Sequence, residues 1–519
     1  MSPINYPAYK ECFKKYIWVY PTIIALFMFY LHLDKGLLKY DEADYVTAAR
    51  KGFVTNYWDV HSTPFHEFIQ KGTEIYILKK HTSLAKEIRN QEDICFFRHF
   101  HAPLLFYILS ISSRLFGNHD MIFRIVYWLI TVLIVPVTYW CIITLTKNKW
   151  LSFITSFLVA ISPMMLVQFS QISIHSIFAI FALCTLTYQI KFFQSNQIKY
   201  FYYYIIFLTF AFLTNEYALI LLCVCLANFL IIKNDIIAYE LKKIQLSPHI
   251  FVGLLLSLFI FLILWPAGIL KLSVLKSYIF FSYFTLIKKP LAYGTSSAIH
   301  VWAGRFLRYP LECVMIVLGL GSVIYGLFIK KKGKKYIPFM IYALAMIGIN
   351  TVNNADIYIT PVYPILLFFS SLWIYSLVKR INMKRNKFLI TASILIGLSI
   401  GNILSNPPNQ KTDDRYLQKV ITFLKENSFI NTNILVSYGY LPILNYYLPD
   451  RNIETIYLEE SQNEIVEKIS SNQYEFFLFI GKLIDLENPP YSETLSHLYN
   501  KSFVVSTEMN RTIILFRKK

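Results

Sequence analysis

Three carboxylates stand almost side by side in LLKYDEADYVTAARKGF: Asp41, Glu42 and Asp44. They follow an apolar stretch, so a membrane-spanning segment there would leave them at the bilayer surface. A hydroxyl is a poor nucleophile at its own pKa, and a positioned carboxylate that accepts its proton makes it competent. The same acids also suit the first turn of a helix, where negative charge is favoured. Farther along, DICFFRHFHAPL groups Arg98, His99 and His101, and His61, His66, His81 and His119 lie in the same loop. Arginine and imidazole donors can stabilise charge on a departing phosphate; alternatively they snorkel to lipid headgroups. HFH and HSTPFHE match no specific zinc spacing, so no metal ligands are assigned. No cofactor is firmly implied, and a divalent metal is the one left open. The segment 267–309 adds Lys271, Lys276, Lys288, Lys289, Arg305 and Arg308 with no acid, a composition suited to an anionic headgroup.

The elements that position these groups are apolar. Of 519 residues, 55% are hydrophobic and only 16% charged, and the mean hydropathy is +0.46. A soluble domain carries near 25% charge, so the chain reads as a polytopic membrane protein. Eleven spans are expected, near 17–33, 121–145, 151–169, 172–190, 200–214, 217–232, 249–266, 310–329, 336–350, 360–378 and 388–404. HAPLLFYILSISSRLFG (101–117) is expected to be half-inserted. Counting it as a span would move KKKGKK at 330–335, KRINMKRNK at 379–387 and every other short basic loop outside, against the positive-inside bias. The N-terminus is then inside, as a retained signal-anchor, and the outer face holds loops 34–120 and 267–309 and the domain 405–519. That domain departs in composition from the membrane-embedded residues 1–404. Its runs NILVSYG, IETIYL, YEFFLFIG, SFVVST and TIILFRK alternate with helix-like stretches such as ESQNEIVEKIS, the pattern of a small extracytoplasmic α/β domain.

Charge and cysteine content exclude several functions. The net charge is +19, but residues 405–519 hold 12 basic and 14 acidic residues, and the excess sits in short loops between apolar runs. That is the mark of membrane topology, and nucleic acid is not an expected partner. The seven cysteines are scattered, several inside apolar runs, and form no disulfide framework or zinc ribbon. Between residues 121 and 404 the acids outside the inner loops are Glu216, Glu312 and Asp356, each near an expected outer end. A proton-driven conduit places ionisable groups in mid-span, so an enzyme working at the outer surface fits better.

Together these features resemble the GT-C glycosyltransferases that use polyprenyl-phosphate sugars, including the dolichyl-phosphate-mannose protein mannosyltransferases and the aminoarabinose transferase of lipid A. DEADY at 41–45 resembles the DE-containing start of that family's first outer loop. HAPLLFYILSISSRLFG followed by DMIFRIVYWLI is similar to its Pro-Pro-Leu helix and the entry to the next span. ISPMMLVQFSQ (161–171) looks like its Ser-Pro run, and DIYITPVYPILLFFSS (356–371) like its late Tyr-Pro-Pro helix. The resemblance implies a GT-C-like fold and transfer of a monosaccharide from an undecaprenyl- or dolichyl-phosphate donor to a lipid, protein or polysaccharide hydroxyl, with inversion. It implies Asp41 as base with Glu42 beside it, and His101 on the donor phosphate. Arg98, Lys271 and Lys276 are the expected further phosphate ligands. Many relatives carry an acid or arginine after the Ser-Pro run and Arg-Tyr before the late prolines. Here Gln171 and His175, and Ile357 and Tyr358, stand in those places, so Asp44, Gln171, His175, Asp356 and Tyr358 are candidate substrate-site residues. No nucleotide-binding GxxxxGK[ST] loop is present. A lipid-linked-sugar flippase and an inactive binding subunit of an envelope glycosylation complex are the competing readings. The membrane implied is the plasma membrane of a microbe.

Overall fold

The computed structural model describes residues 16–34, 36–38, 40–50, 102–233, 246–266, 268, 298–328, 336–350, 356–380, 393–395, 397–398, 401, 414–437, 440–456, 462–471, 473–481, 491–506 and 512–519. In chain order the helices are α1 (Val19–Leu31), α2 (Tyr40–Arg50), α3 (Leu104–Phe116), α4 (Asp120–Thr131), α5 (Ile134–Thr146), α6 (Lys149–Ile161), α7 (Pro163–Phe169), α8 (Ile174–Ser195), α9 (Ile198–Phe212), α10 (Ala218–Lys233), α11 (Leu246–Leu264), α12 (Ala298–Arg308), α13 (Pro310–Phe328) and α14 (Ile337–Ile349). A 3-10 segment, Asp356–Val362, leads into α15 (Tyr363–Arg380). Then come α16 (Asp414–Asn427), β1 (Asn433–Val436), α17 (Leu441–Tyr447), β2 (Asn452–Thr455), α18 (Gln462–Ser470), β3 (Phe476–Gly481), α19 (Tyr491–Leu498), β4 (Tyr499–Ser506) and β5 (Thr512–Lys518). The chain divides into two compact units: Met1–Asp34, His99–Leu105 and Arg124–Asn409, and Lys35–Arg98, Phe106–Phe123 and Gln410–Lys519.

In the first unit, α6 is buried along most of its length and packs against α1, α5 and α15. Its start is set by Asn148, whose side chain accepts from the Trp150 and Leu151 amides. Its end is set by Ser162-Pro163. The proline cannot continue the α6 hydrogen-bond ladder but suits the first turn of α7, and the Ser162 hydroxyl accepts from the Met165 amide at 3.2 Å. The two helices therefore meet at a 58° bend. Helices α13 and α15 cross closely at Gly319, where a Cβ would lie 2.4 Å from the Phe369 carbonyl carbon, so only glycine fits. On α11 the apolar side chains Phe251, Leu254, Phe259 and Ile263 face outward, as contact with lipid requires.

Among the described residues, four segments are long and apolar enough to cross a bilayer: Asp120–Thr146, Ile174–Ser195, Pro310–Leu327 and Asp356–Lys379, with the bent pair α6 and α7 as a fifth. Apolar helices of 10–17 residues lie at further expected spans: Val19–Leu31, Ile198–Phe212, Ala218–Leu230, Pro248–Leu264 and Ile337–Ile349. Thirteen residues rise about 20 Å, short of a hydrocarbon core of about 30 Å, so helix length credits fewer spans than the eleven expected from hydropathy. The segment 101–117, expected to be half-inserted, contains α3, which is of the same short class. Most of the expected span 388–404 lies outside the described residues.

The second unit contains a five-stranded sheet of order β2-β1-β3-β5-β4, parallel from β2 to β3 and antiparallel through β5 and β4. Its strands fall on the five alternating or β-branched runs seen in the sequence. Helix α16 buries Leu417, Val420, Ile421 and Leu424, an i, i+3, i+4, i+7 stripe. Within this unit α17 also packs against α2.

Candidate functional site

In the second unit, α2 carries the acidic triplet in and just after its first turn. Asp41 is exposed, Glu42 is buried and Asp44 is half-buried. Negative charge in the first turn complements the helix dipole. Exposure separates the two leading candidates: Asp41 is open to an incoming hydroxyl, whereas Glu42 sits in the packing of the helix.

In the first unit, polar groups gather around the 3-10 segment. Helix α12 ends in Arg305-Phe-Leu-Arg308 and is stopped by Pro310, which opens α13. The i, i+3 spacing puts both arginines on one face, and both meet Asp356. Arg305 Nε lies 3.0 Å from Asp356 Oδ1, with both side chains about 95% buried, and an Arg308 guanidinium nitrogen lies 2.8 Å from Oδ2 with half its side chain exposed. Trp302 lies under the Arg305 guanidinium, 4.9 Å from its centre. Two guanidiniums share one carboxylate, and the more accessible of them is Arg308.

A second polar group centres on His175, in the first turn of α8, where the Ser173 hydroxyl accepts from the His175 amide at 3.1 Å. The Asn215 amide is oriented by its neighbours: its Oδ1 accepts from the Tyr217 amide at 2.8 Å, so its Nδ2, 3.1 Å from His175 Nδ1, is the donor. His175 Nδ1 therefore accepts, and the ring proton sits on Nε2. The Tyr358 ring stands edge-on to His175 at 5.0 Å, and the Tyr217 ring lies 5.5 Å from it. Tyr217 donates its hydroxyl to Asn350 Oδ1 at 2.9 Å. Nearby in the chain, the buried Glu312 accepts from the Tyr363 hydroxyl at 2.8 Å, tying α13 to α15. Arg124, fully buried, donates to the Asp34 carbonyl at 2.9 Å and so fixes the exit of α1.

Of the candidates from sequence, His175 and Tyr358 are thus in ring contact, and Asp356, two residues from Tyr358, is engaged by arginines. Gln171 is half-buried in the bend between α7 and α8. Arg98, His101, Lys271 and Lys276 lie outside the described residues. Asn215, Tyr217 and Asn350 were not foreseen. Arg305 and Arg308 were noted only as members of a basic loop, although RFLR before a proline carries the spacing that pairs them. Among the described residues, no group of three His, Cys, Asp or Glu could hold a metal ion.

Residues 100–265 match the family model described as dolichyl-phosphate-mannose-protein mannosyltransferase. Among solved structures the chain is similar to ArnT from Cupriavidus metallidurans bound to undecaprenyl phosphate. The TM-score is 0.60 at 12% identity, with 96% of this chain and 97% of that one covered. It is also similar to the oligosaccharyltransferase AglB from Archaeoglobus fulgidus in complex with an inhibitory peptide and a dolichol-phosphate. There the TM-score is 0.56 at 12% identity, covering 98% of this chain and 74% of that one. The apo form of the Archaeoglobus fulgidus enzyme gives 0.55 at 13% identity, with coverages of 94% and 71%. No curated protein matches the chain.

Proposed function

We propose that the chain is a membrane-embedded GT-C glycosyltransferase that moves a monosaccharide from a polyprenyl-phosphate donor to a hydroxyl acceptor, a reading supported by the family-model match over residues 100–265, the shared fold and the apolar helices. The transfer is a single displacement with inversion at the outer face of a microbial plasma membrane. Asp41 accepts the proton of the attacking hydroxyl, while the oxygen of the lipid phosphate leaves with the bonding electron pair of the sugar's anomeric carbon. Cations stabilise the phosphate as it departs: Arg308 and Arg305, with Arg98, His101, Lys271 and Lys276 as further ligands. His175 and Tyr358 contribute an aromatic and imidazole surface to the substrate site, and Gln171 and Asp44 are further candidate substrate-site residues. The residues 405–519 form the extracytoplasmic domain, the N-terminus is inside, and the acceptor is a lipid, protein or polysaccharide.

The observation that carries this reading is the Arg305–Asp356–Arg308 cluster. Asp356 gathers two guanidiniums, and the half-exposed one, Arg308, can turn a donor face to phosphate. The test is transfer of radiolabel from a panel of polyprenyl-phosphate monosaccharides to cell-envelope extract by membranes containing the chain. Label entering an acceptor with inverted anomeric configuration supports the proposal. Retained configuration, or labelled lipid that only changes leaflet, rejects it.

A further inference from the structure

One carboxylate in the second unit gathers three segments that are far apart in the sequence. Asp120, at the start of α4, accepts from two consecutive tyrosines of α17: the Tyr446 hydroxyl donates to Oδ1 and the Tyr447 hydroxyl to Oδ2, each at 2.5 Å. Both rings can reach it because they stand edge-on to each other, 4.7 Å apart, at the end of the helix. The same hydroxyls grip α2 at its two ends. The backbone amide of Leu38, three residues before Asp41, donates to the Tyr447 hydroxyl at 2.9 Å. Arg50, the last residue of α2, donates to the Tyr446 hydroxyl at 2.5 Å and to the Asn118 carbonyl at 2.8 Å, and its guanidinium stacks 4.0 Å above the Tyr446 ring.

An isolated helix of 11 residues is marginal in water, so the direction and integrity of α2 come from what holds it. Its inner face, with Ala43, Val46 and Ala49 buried, gives α17 room to approach. Small apolar contacts set a distance but little orientation. The hydrogen bonds at Leu38 and Arg50 supply the orientation, because they fix both the entry of the helix and its last turn. Burial and the adjacent carboxylate hold both tyrosine hydroxyls above their ordinary pKa, so they remain donors at neutral pH.

We propose that Tyr446 and Tyr447, acting through Asp120, Leu38 and Arg50, are positioning residues that aim the first turn of α2, and with it the Asp41 carboxylate, at the reacting hydroxyl. This rests on the reading of Asp41 as the base. It gives the C-terminal segment a role in the chemical step that is separate from binding an acceptor. A base displaced by about 1 Å can cost a hundredfold in rate, so the loss appears in kcat, while KM for the donor, which the phosphate ligands set, does not move.

The experiment uses the full chain in membranes, with polyprenyl-phosphate mannose carrying a radiolabelled sugar as probe, and compares Tyr447→Phe and Tyr446→Phe with the native chain. Tyr474→Phe, which removes a hydroxyl bonded to Glu454 on β2, is the control for loss of any tyrosine hydroxyl in this unit. The expected result is a kcat lower by about tenfold or more in Tyr447→Phe, KM within twofold, and an unaltered Tyr474→Phe. Hydrogen–deuterium exchange is read on the same proteins and needs no donor: residues 36–50 lose protection in Tyr447→Phe while β1 and β3 keep theirs. Unchanged exchange across 36–50, or kcat and KM moving together, overturns the proposal. Exchange that rises across the whole sheet also overturns it, because the tyrosines would then only hold the fold. Asp41→Asn assayed alongside separates the two layers: full activity there refutes the base, while the exchange measurement still reads the clamp on α2.

Discussion

Asp356 and Asp120 each tie together distant stretches of the chain, but they do so with partners of opposite electrostatic character. Asp356 holds two arginines and leaves one guanidinium half-exposed. Asp120 holds two neutral hydroxyls, and Arg50 donates to one of them. The first arrangement is stable only while a carboxylate stays among the guanidiniums, and its half-exposed arginine is the group proposed to meet an anion. The second directs its hydroxyl donors to a carboxylate within the fold, as the proposed clamp requires.

The contrast is most easily broken at Asp356. Asp356→Asn removes the carboxylate charge that two guanidiniums share, one of them buried, and a buried pair broken in this way costs about 3–5 kcal/mol. A thermal unfolding scan of the detergent-solubilised chain should show the largest drop of any single variant here. Asp120→Asn should cost less, about 1–3 kcal/mol. The tyrosine hydroxyls can rotate to accept from the new amide, whereas arginine can only donate. Equal losses at the two sites would erase the distinction. Arg308→Gln sharpens it: with half its side chain in solvent, stability should change by under about 1 kcal/mol. Binding of undecaprenyl phosphate, measured by tryptophan quenching, should weaken about tenfold, equivalent to about 1.4 kcal/mol.

The smallest effect is on pH. The Tyr446 and Tyr447 pKa values are raised, first by burial and then by hydrogen bonding to Asp120. The fold therefore favours the protonated hydroxyls, and their contribution is complete below about pH 10, the unfolded tyrosine value, and lost as pH rises beyond it. The unfolding midpoint should be insensitive to these groups from pH 7 to 9. Above pH 10 it should fall more steeply in the native chain than in the Tyr446→Phe, Tyr447→Phe double variant.

Local features were legible in the sequence where local chemistry decides them. The five strands are runs of β-branched and aromatic residues; the α6–α7 bend at Ser162-Pro163 was not foreseen, since 151–169 was expected as one span. The helix at 40–50 begins at the acids that favour a helix start. Pairings across the chain were not legible. Nothing in RFLR names Asp356, 48 residues beyond Arg308, as its partner. The run LPILNYY reads as an ordinary amphipathic turn, and its tyrosines meet a carboxylate 326 and 327 residues away. Charge patterning drew attention to Lys271 and Lys276 because it counts cations without knowing which of them the fold brings to an acid. His175 was singled out for its place after the Ser-Pro run, but Asn215 and Asn350, which complete its surroundings, have no charge or spacing to mark them.

The most direct test of Asp41 as the base is sugar transfer by Asp41→Asn beside the native chain, under single-turnover conditions with the donor bound to both. Transfer should fall by at least about 10²-fold, the usual contribution of a general base, with donor binding within twofold of native. Transfer at the native rate by Asp41→Asn would contradict that role.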